Sequence, residues 1–444
     1  MQTGPRNKRR RGTFLHPMAH APIPVSMPTS PGADMRECPD CGLFQHLPPL
    51  RPGLVADCGR CGAVLRRRRR DSLGTTMALM TTGLCLFVIV VSAPLLHLSL
   101  GGQQRDTALP DLPLAFEDFG MWELSLVVLA TTMVAPLLKL GLTAGVLVGL
   151  RVHVAPSTLA AMARIRAWLT PWSMTEVFLL GLFVAYTRLT AIATVQVGVG
   201  LYAMGGLMLV MVAADAWLDE HAMWEAISRR RRTPAPFGTG ALIGCDTCGQ
   251  VSRAEPGAPC TRCHTGLRIR KPESLARCWA LLAAAAALYI PANFLPVMTV
   301  VRLGRGQPST ILGGVQELIE YRMWPLALLV FTASIAVPML KLALLVYMLV
   351  ATHRRSSAAL VDRTRLYRLV DVIGRWSMID VFMIAILTAL VRMGLFASVT
   401  PGTGAICFAG VVILTMLAAF SFDPRLMWDA ASERTQAVPA GAPA

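Results

Sequence analysis

Long apolar runs dominate the chain, and short segments rich in charged and turn-forming residues separate them. Several runs exceed the roughly 18 residues that a helix needs to cross a bilayer. The pattern therefore predicts an all-α polytopic membrane protein with eight spans. We expect them over residues 73–98, 121–150, 172–188, 191–217, 275–300, 323–351, 376–396 and 404–422.

Composition and charge support this interpretation. The 444 residues are 54% hydrophobic and 15% charged, whereas a soluble domain carries about 25% charged residues. The net charge of +16 comes largely from arginine clusters beside apolar runs, such as 66–70 and 229–232. Basic residues collect on the cytoplasmic side of membrane proteins. The charge thus indicates topology rather than nucleic-acid binding, and it places both termini in the cytoplasm.

The sequence contains two copies of one unit. Trp122 and Trp324 are each followed by a proline and then a lysine, Lys139 or Lys341, at an offset of 202 residues. Residues 172–178 match 376–382 at an offset of 204. Each unit has an even number of spans, so the two copies have the same orientation and are parallel repeats.

Each unit begins with two Cys-x-x-Cys motifs. Four thiolates at this spacing form a closed tetrahedral site, typical of a zinc ribbon with structural Zn²⁺. Disulfides are the alternative, and a reducing cytoplasm disfavours them. The predicted zinc ligands are Cys38, Cys41, Cys58 and Cys61 in the first ribbon, and Cys245, Cys248, Cys260 and Cys263 in the second.

These features divide the chain into six segments. Both ends are polar or rich in proline and alanine, which predicts disorder. The segments are a basic tail (1–34), zinc ribbon 1 (35–70), four-helix membrane module 1 (71–228), zinc ribbon 2 (240–271), four-helix membrane module 2 (272–430) and a second tail (431–444).

Ionisable residues inside the predicted spans are candidates for function, because charge is costly there. Lys341, Asp380 and Thr415 fall at similar depths in spans six, seven and eight. If Lys341 and Asp380 face one another, Asp380 could exchange a proton and Thr415 could relay it. Lys139 and Glu176 occupy the matching positions of the first module, where Met211 replaces the threonine.

A structural interpretation of the same residues stays open. Lys341 could extend along its helix towards the membrane surface, as long cationic side chains do. Asp380 could cap the first turn of span seven. Under that interpretation neither residue takes part in transport.

The motifs together resemble the paraquat-inducible protein A family. They are the two ribbons with four spans each, the Pro-x-x-Lys-Leu element, the Trp-Ser-Met-x-[Asp/Glu]-Val-Phe element and residues 422–426. The resemblance implies an inner-membrane subunit of a bacterial lipid-transport system that works with a periplasmic MCE-domain protein. It also implies short extracytoplasmic segments that contain β-structure.

Other observations limit the function. No G-x-x-x-x-G-K-[Ser/Thr] motif occurs, so the sequence gives no sign of nucleotide hydrolysis, and we expect no enzymatic activity. Outer loops of about 20 residues cannot bridge a periplasm, so a partner must supply the conduit for phospholipid. A zinc- or redox-responsive scaffold or stress protein without transport activity is the alternative function, and a small-solute transporter is a third.

Overall fold

The computed structural model describes residues 35–100, 103–190, 194–230, 240–302, 305–320, 322–391 and 397–437. Within this part of the chain, eight helical segments are long and apolar enough to cross a membrane. The mostly helical polytopic fold predicted from the apolar runs is confirmed. Most of residues 1–34 and 431–444, expected to be disordered, lie outside the described residues, but the last helix extends to Ala437.

The first half of the chain contains a ribbon and a four-span module. Its elements are β1 (Met35–Glu37), β2 (Phe44–His46), β3 (Val55–Asp57), β4 (Val64–Arg67), α1 (Ser72–Ser92), β5 (Leu96–Leu100), β6 (Gln103–Thr107), α2 (Asp111–Glu117), α3 (Trp122–Leu129), α4 (Ala135–Arg151), α5 (Pro156–Leu169), α6 (Thr175–Thr190), β7 (Thr194–Val197), α7 (Val199–Trp217) and α8 (Glu220–Arg229).

The second half repeats this order with a shorter ribbon. Its elements are β8 (Ala241–Gly244), β9 (Val251–Ala254), α9 (Ser274–Phe294), β10 (Met298–Arg302), β11 (Arg305–Ser309), α10 (Ile311–Glu320), α11 (Trp324–Phe331), α12 (Val337–His353), α13 (Leu360–Gly374), α14 (Ile379–Leu390), β12 (Ala397–Pro401), α15 (Thr403–Ser421) and α16 (Arg425–Ala437).

Several spans end earlier than the apolar pattern predicted, because the residues that follow them form small sheets. Strand β5 pairs antiparallel with β6 and β7, and β10 pairs in the same way with β11 and β12. Spans one and five therefore end at Ser92 and Phe294. Residues 96–100 alternate apolar and polar side chains, the period of a half-buried strand, and a hydropathy window cannot distinguish this alternation from the end of a helix. The expected β-containing segments are confirmed.

The helices of spans three and seven begin earlier than predicted. Each span begins with an amphipathic helix, α5 or α13, and a short 3₁₀ turn joins this helix to the apolar one. The continuous segments cover Pro156–Thr190 and Leu360–Leu390. The apolar runs that started near residues 172 and 376 marked only their second halves.

A π-helical turn interrupts each span that carries a lysine. The turns cover Ala130–Val134 and Thr332–Ala336 and precede Pro136 and Pro338. Proline has no N–H for the carbonyl four residues earlier, and a π-turn shifts the bonding to the next residue. Such turns are frequent at functional sites. Thr132 and Ser334 lie within them.

The two modules pack together through equivalent residues. Phe178 of α6 and Phe382 of α14, which match at the offset of 204, make an edge-to-face contact with ring centroids 5.6 Å apart. Contact between equivalent positions is the mark of a two-fold interface. The two halves are therefore related by a pseudo-two-fold axis, in agreement with the parallel repeats that the sequence predicted.

The two ribbons pack against the modules in a crossed arrangement. Cysteines of the first ribbon share an apolar cluster with Leu345, Val370 and Trp428 of the second module. Cysteines of the second ribbon share another cluster with Leu159 and Trp224 of the first module. Ribbon 1 thus packs on the second module and ribbon 2 on the first, so neither packs on the module that directly follows it in sequence.

Candidate functional site

Two four-cysteine clusters lie on the ribbons. In each cluster, the four sulfur atoms lie within 4.8 Å of one another, and all four cysteines are buried. Tight turns after each pair bring the thiols together, and Gly42, Gly62 and Gly249 adopt φ of 70°, 68° and 67° there. His264 takes the same position in the fourth turn with φ of 61°. It therefore replaces a glycine and is not needed as a ligand.

The sulfur geometry fits a metal ion. The Cys38–Cys61 and Cys41–Cys58 sulfur pairs are 3.5 and 3.6 Å apart, and the pairs of the second ribbon are 3.4 and 3.6 Å apart. A tetrahedron with metal–sulfur bonds of about 2.3 Å has sulfur–sulfur edges of about 3.8 Å. A disulfide needs about 2.05 Å. Both clusters could therefore hold a metal ion, and neither is disulfide-bonded.

A buried ionic network joins the two ribbons to the end of the second module. Glu37 of ribbon 1 accepts hydrogen bonds from Arg425 (3.1 Å), Arg270 (3.2 Å) and the Gly244 amide (2.9 Å). Arg425 also donates to both oxygens of Asp423, each at 3.0 Å. The network therefore fixes three separate parts of the chain at one point on the ribbon side.

The carboxyl groups of this network have opposite pKa shifts. Burial raises the pKa of Glu37 above its ordinary value, although Arg425 opposes the shift. Burial also opposes ionisation of Asp423, but the hydrogen bond and charge of Arg425 lower its pKa overall. Arg425 therefore supports the charge of Asp423 more strongly than that of Glu37.

Ribbon 1 also holds α13 directly. Arg368 of α13 donates to Asp40 Oδ2 at 2.6 Å and to the Cys61 carbonyl at 3.1 Å. Asp40 lies between the first two cysteines of the ribbon. One turn further along α13 is Asp371, so the first four-cysteine cluster and Asp371 are connected through a single helix.

The two buried lysines have different partners. Lys139 donates to Asp215 Oδ2 of α7 at 2.6 Å. Lys341 is only 3% exposed; its ammonium group lies against Gly374, and it lines a cavity together with Asp371. Neither acid was predicted. Asp215 interrupts an apolar run, and that signal marks functional or paired charge in membranes.

The structure does not place Lys341 opposite Asp380. Asp380 is 4% exposed and lies near Ser334 and Arg188. The Ser334 hydroxyl donates to the Val330 carbonyl at 2.6 Å, and neither carboxyl oxygen of Asp380 has a hydrogen-bond partner within the described part of the chain. The alternative in which Asp380 caps span seven is wrong, because α14 begins without any side-chain cap.

The remaining predicted residues, Thr415 and Glu176, lie on α15 and α6. Thr415 is 1% exposed and donates to the Val412 carbonyl at 2.9 Å. On the same face of α15, one turn later, is Ala419. Glu176 of the first module is half-buried, unlike its counterpart Asp380. The first module therefore lacks both the buried acid and the hydroxyl of the second.

The comparisons with known proteins cover both modules. A family model described as paraquat-inducible protein A matches residues 73–228 and 275–432. The "Intermembrane transport protein PqiA" of Escherichia coli (strain K12) is 32% identical over 400 residues, which cover 88% of this chain and 95% of that protein. No solved structure matches.

Two further relatives have similar coverage. The "Lipophilic envelope-spanning tunnel protein A" of Escherichia coli (strain K12) is 32% identical over 408 residues, or 90% of this chain and 92% of the relative. The "Probable intermembrane transport protein" of Haemophilus influenzae is 26% identical over 423 residues, or 91% and 98%. These proteins match the whole two-module arrangement rather than one ribbon or one helix pair.

Proposed function

The chain belongs to the paraquat-inducible protein A family, and from this we propose that it is the inner-membrane subunit of a lipid-transport system. It moves phospholipid between that membrane and a periplasmic MCE-domain partner, towards or from the outer membrane. The observation that carries the proposal is the match of both modules to relatives named for intermembrane transport. Those names describe transport proteins, in agreement with a non-enzymatic role.

The need for a partner follows from the size of the sheet-side segments. Each module places one three-stranded sheet and one short helix, α2 or α10, outside its spans. Strands of four or five residues extend less than about 20 Å. Such segments can receive a partner but cannot cross the space between two membranes. With the ribbons in the cytoplasm, the sheets face the periplasm.

We infer that each ribbon holds one structural Zn²⁺. Four thiolates complete a tetrahedral shell, and such sites leave no open position for catalysis. Zn²⁺ bound there would stabilise the ribbon and would carry out no step of transport. The ribbon residues themselves hold α13 and the ionic network in place.

Transport in this proposal depends on protonation of the second module. Asp380 is the exchanging group, because it is buried and neither of its carboxyl oxygens has a hydrogen-bond partner among the described residues. Lys341 and Thr415 lie on the ribbon side of Asp380 and form the other end of the relay. The first-module pair Lys139 and Glu176 is not part of it.

The test of this proposal uses conservative substitutions in cells that depend on the protein. Asp380→Asn and Lys341→Met should each abolish lipid transfer, because neither side chain can then change or balance charge. The measurement is transfer of labelled phospholipid from vesicles containing the protein to its purified periplasmic partner, together with growth of the cells.

Glu176→Gln is the matched control, because it makes the same change at the equivalent position of the first module. Protein amount and zinc content should stay unchanged in all variants. Full transfer by Asp380→Asn and Lys341→Met would contradict the relay. Wild-type protein that neither copurifies with phospholipid nor transfers it would favour the scaffold function instead.

A further inference from the structure

A cavity between the two modules is the feature that the relay leaves unexplained. It has a volume of about 180 Å³. Pro171 lines it from the first module; Lys341, Asp371, Arg375, Ala419 and Phe420 line it from the second. We call it the inter-module cavity. Two cationic side chains and one acidic side chain thus face a partly apolar space.

The cavity exists where the modules differ by one carboxylate. In the first module, Asp215 takes up the charge of Lys139 at 2.6 Å. The residue equivalent to Asp215 is Ala419, which lines the cavity. Replacing a carboxylate with a methyl group empties the space and removes the local counterion. Among the described residues Lys341 forms no close ion pair like that of Lys139 with Asp215. A buried ammonium without such a pair is costly, so the position favours an anionic ligand.

The cationic and acidic side chains that line the cavity lie at different depths. Lys341 is 3% exposed, whereas Asp371 is exposed, and both line the cavity. The cationic end is therefore deep and the carboxylate lies at the mouth. A ligand with an anionic group and a cationic group a few bonds apart matches this order.

The level of the cavity in the membrane suggests the ligand. Ala419 and Phe420 belong to the last turn of α15, which ends at Ser421. One turn beyond Lys341, Leu345 already packs against the first ribbon. The cavity therefore lies where the apolar part of the spans meets the ribbons, which is the depth of phospholipid headgroups.

We propose that the inter-module cavity binds a phospholipid headgroup that carries a phosphodiester and a primary ammonium group. The phosphodiester lies between Lys341 and Arg375, and the ammonium donates to Asp371. This inference rests on the proposed transport function and names its substrate class. Drug-sized pockets start at roughly 300 Å³, so the 180 Å³ cavity takes the headgroup and leaves the acyl chains in the bilayer.

Restoring the missing carboxylate tests the site. In Ala419→Asp, the new acid should pair with Lys341 as Asp215 pairs with Lys139 and should block the phosphodiester. The probe is dihexanoyl phosphatidylethanolamine, titrated into full-length protein in detergent and followed by native mass spectrometry. We expect its dissociation constant to rise at least about tenfold. Asp215→Ala, which alters the equivalent position of the first module, should leave the affinity unchanged.

A second variant tests the ammonium contact without altering the packing. Asp371→Asn should weaken phosphatidylethanolamine binding about tenfold and leave dihexanoyl phosphatidylglycerol unaffected, because that lipid has no ammonium group. Unfolding temperature and zinc content identify any variant that has misfolded. If Ala419→Asp misfolds, the Asp371→Asn result alone tests the site.

Three outcomes would overturn the assignment. They are unchanged affinity in both variants, equal loss for both lipids in Asp371→Asn, and binding of glycerophosphoethanolamine as tightly as the lipid. The third result would assign the cavity to a soluble phosphate compound. In each of these cases, transfer of lipid by the wild-type protein would leave the proposed function standing. Loss of that transfer would refute the proposed function itself.

Discussion

At the residue scale, the protein places several charges in its interior and treats each one differently. Lys139 has a short ion pair, Lys341 faces a cavity, and Asp380 has no hydrogen-bond donor within the described residues. Unpaired buried charge is costly, so the last two positions are unlike ordinary structural pairs. Both belong to the second module, where the proposed relay lies.

Arg425 is the residue on which the buried ionic network depends. Arg425→Met should lower the free energy of unfolding by about 3 kcal/mol, the lower end of the range for breaking a buried pair, because Arg270 still contacts Glu37. A lower unfolding temperature of the purified zinc-loaded protein would show this. Arg229→Met is the control, because its pair with Glu225 is exposed and should contribute less than about 1 kcal/mol. Equal effects would contradict the assigned role.

At the scale of elements, each ribbon holds helices of the module that does not directly follow it in sequence. Ribbon 1 contacts α13 through Arg368, and Trp428 of α16 lies under the Arg60 guanidinium at 4.3 Å. The α13 helix in turn carries Asp371 and Gly374, which border the inter-module cavity. Loss of the first metal site should therefore disturb the second module.

A serine substitution in each ribbon tests this crossed arrangement. Cys58→Ser should accelerate hydrogen exchange in α13 and α16, because an incomplete ligand set loses much of the roughly 10–16 kcal/mol of zinc-coupled folding energy. Cys245→Ser should accelerate exchange in α5 and α8 instead. Exchange mapped by mass spectrometry on protein containing about one zinc ion per chain would measure both. Faster hydrogen exchange in the module that directly follows each ribbon in sequence would contradict the crossed arrangement of the ribbons.

At the scale of the whole molecule, the interface between α6 and α14 holds the modules in one body. A Cβ atom at Gly181 would lie 3.1 Å from Phe382 Cβ and 3.2 Å from the Ile379 carbonyl oxygen. Neither neighbour is the free end of a flexible side chain. Glycine at this position therefore sets how closely the two helices approach.

Gly181→Ala should separate the modules slightly and destabilise the protein by about 1–3 kcal/mol. Gly205→Ala is the matched control, because nothing lies within 4 Å of a Cβ atom there. It should be neutral or stabilise its helix by about 0.5–1 kcal/mol. Thermal unfolding of both variants in one detergent gives the comparison, and a Gly181→Ala protein as stable as Gly205→Ala would refute the close-packing argument.

The orientation of the molecule is open to a labelling test. Gly306 and Ser357 are both exposed, in the second-module sheet and in the turn between α12 and α13. In cells with a permeable outer and an intact inner membrane, Gly306→Cys should react with an impermeant thiol reagent above the level of the parent protein. Ser357→Cys should react only after the inner membrane is opened. The reverse pattern would invert the proposed topology.

The sequence by itself determined the properties that are local in the chain. Apolar runs are long because a helix must cross the bilayer, and the repeat appears as equal spacings of tryptophan, proline and lysine. The metal ligands were equally visible, since two cysteines separated by two residues reach one ion from one turn. Hydropathy could not separate the last residues of a span from the strand that follows.

Only the tertiary structure decided which distant groups meet. Lys139 and Asp215 are 76 residues apart and Glu37 and Arg425 are 388 residues apart, and no periodicity links such positions. The same holds for the crossed arrangement of the ribbons, the approach of Arg188 to Asp380 and the cavity opened by Ala419. Spacing along the chain gave similar depths to Lys341 and Asp380, but rotation about the helix axes directs them to different neighbours. The depth of a residue in the membrane depends on its position along the helix, whereas the direction of its side chain depends on how the helices pack.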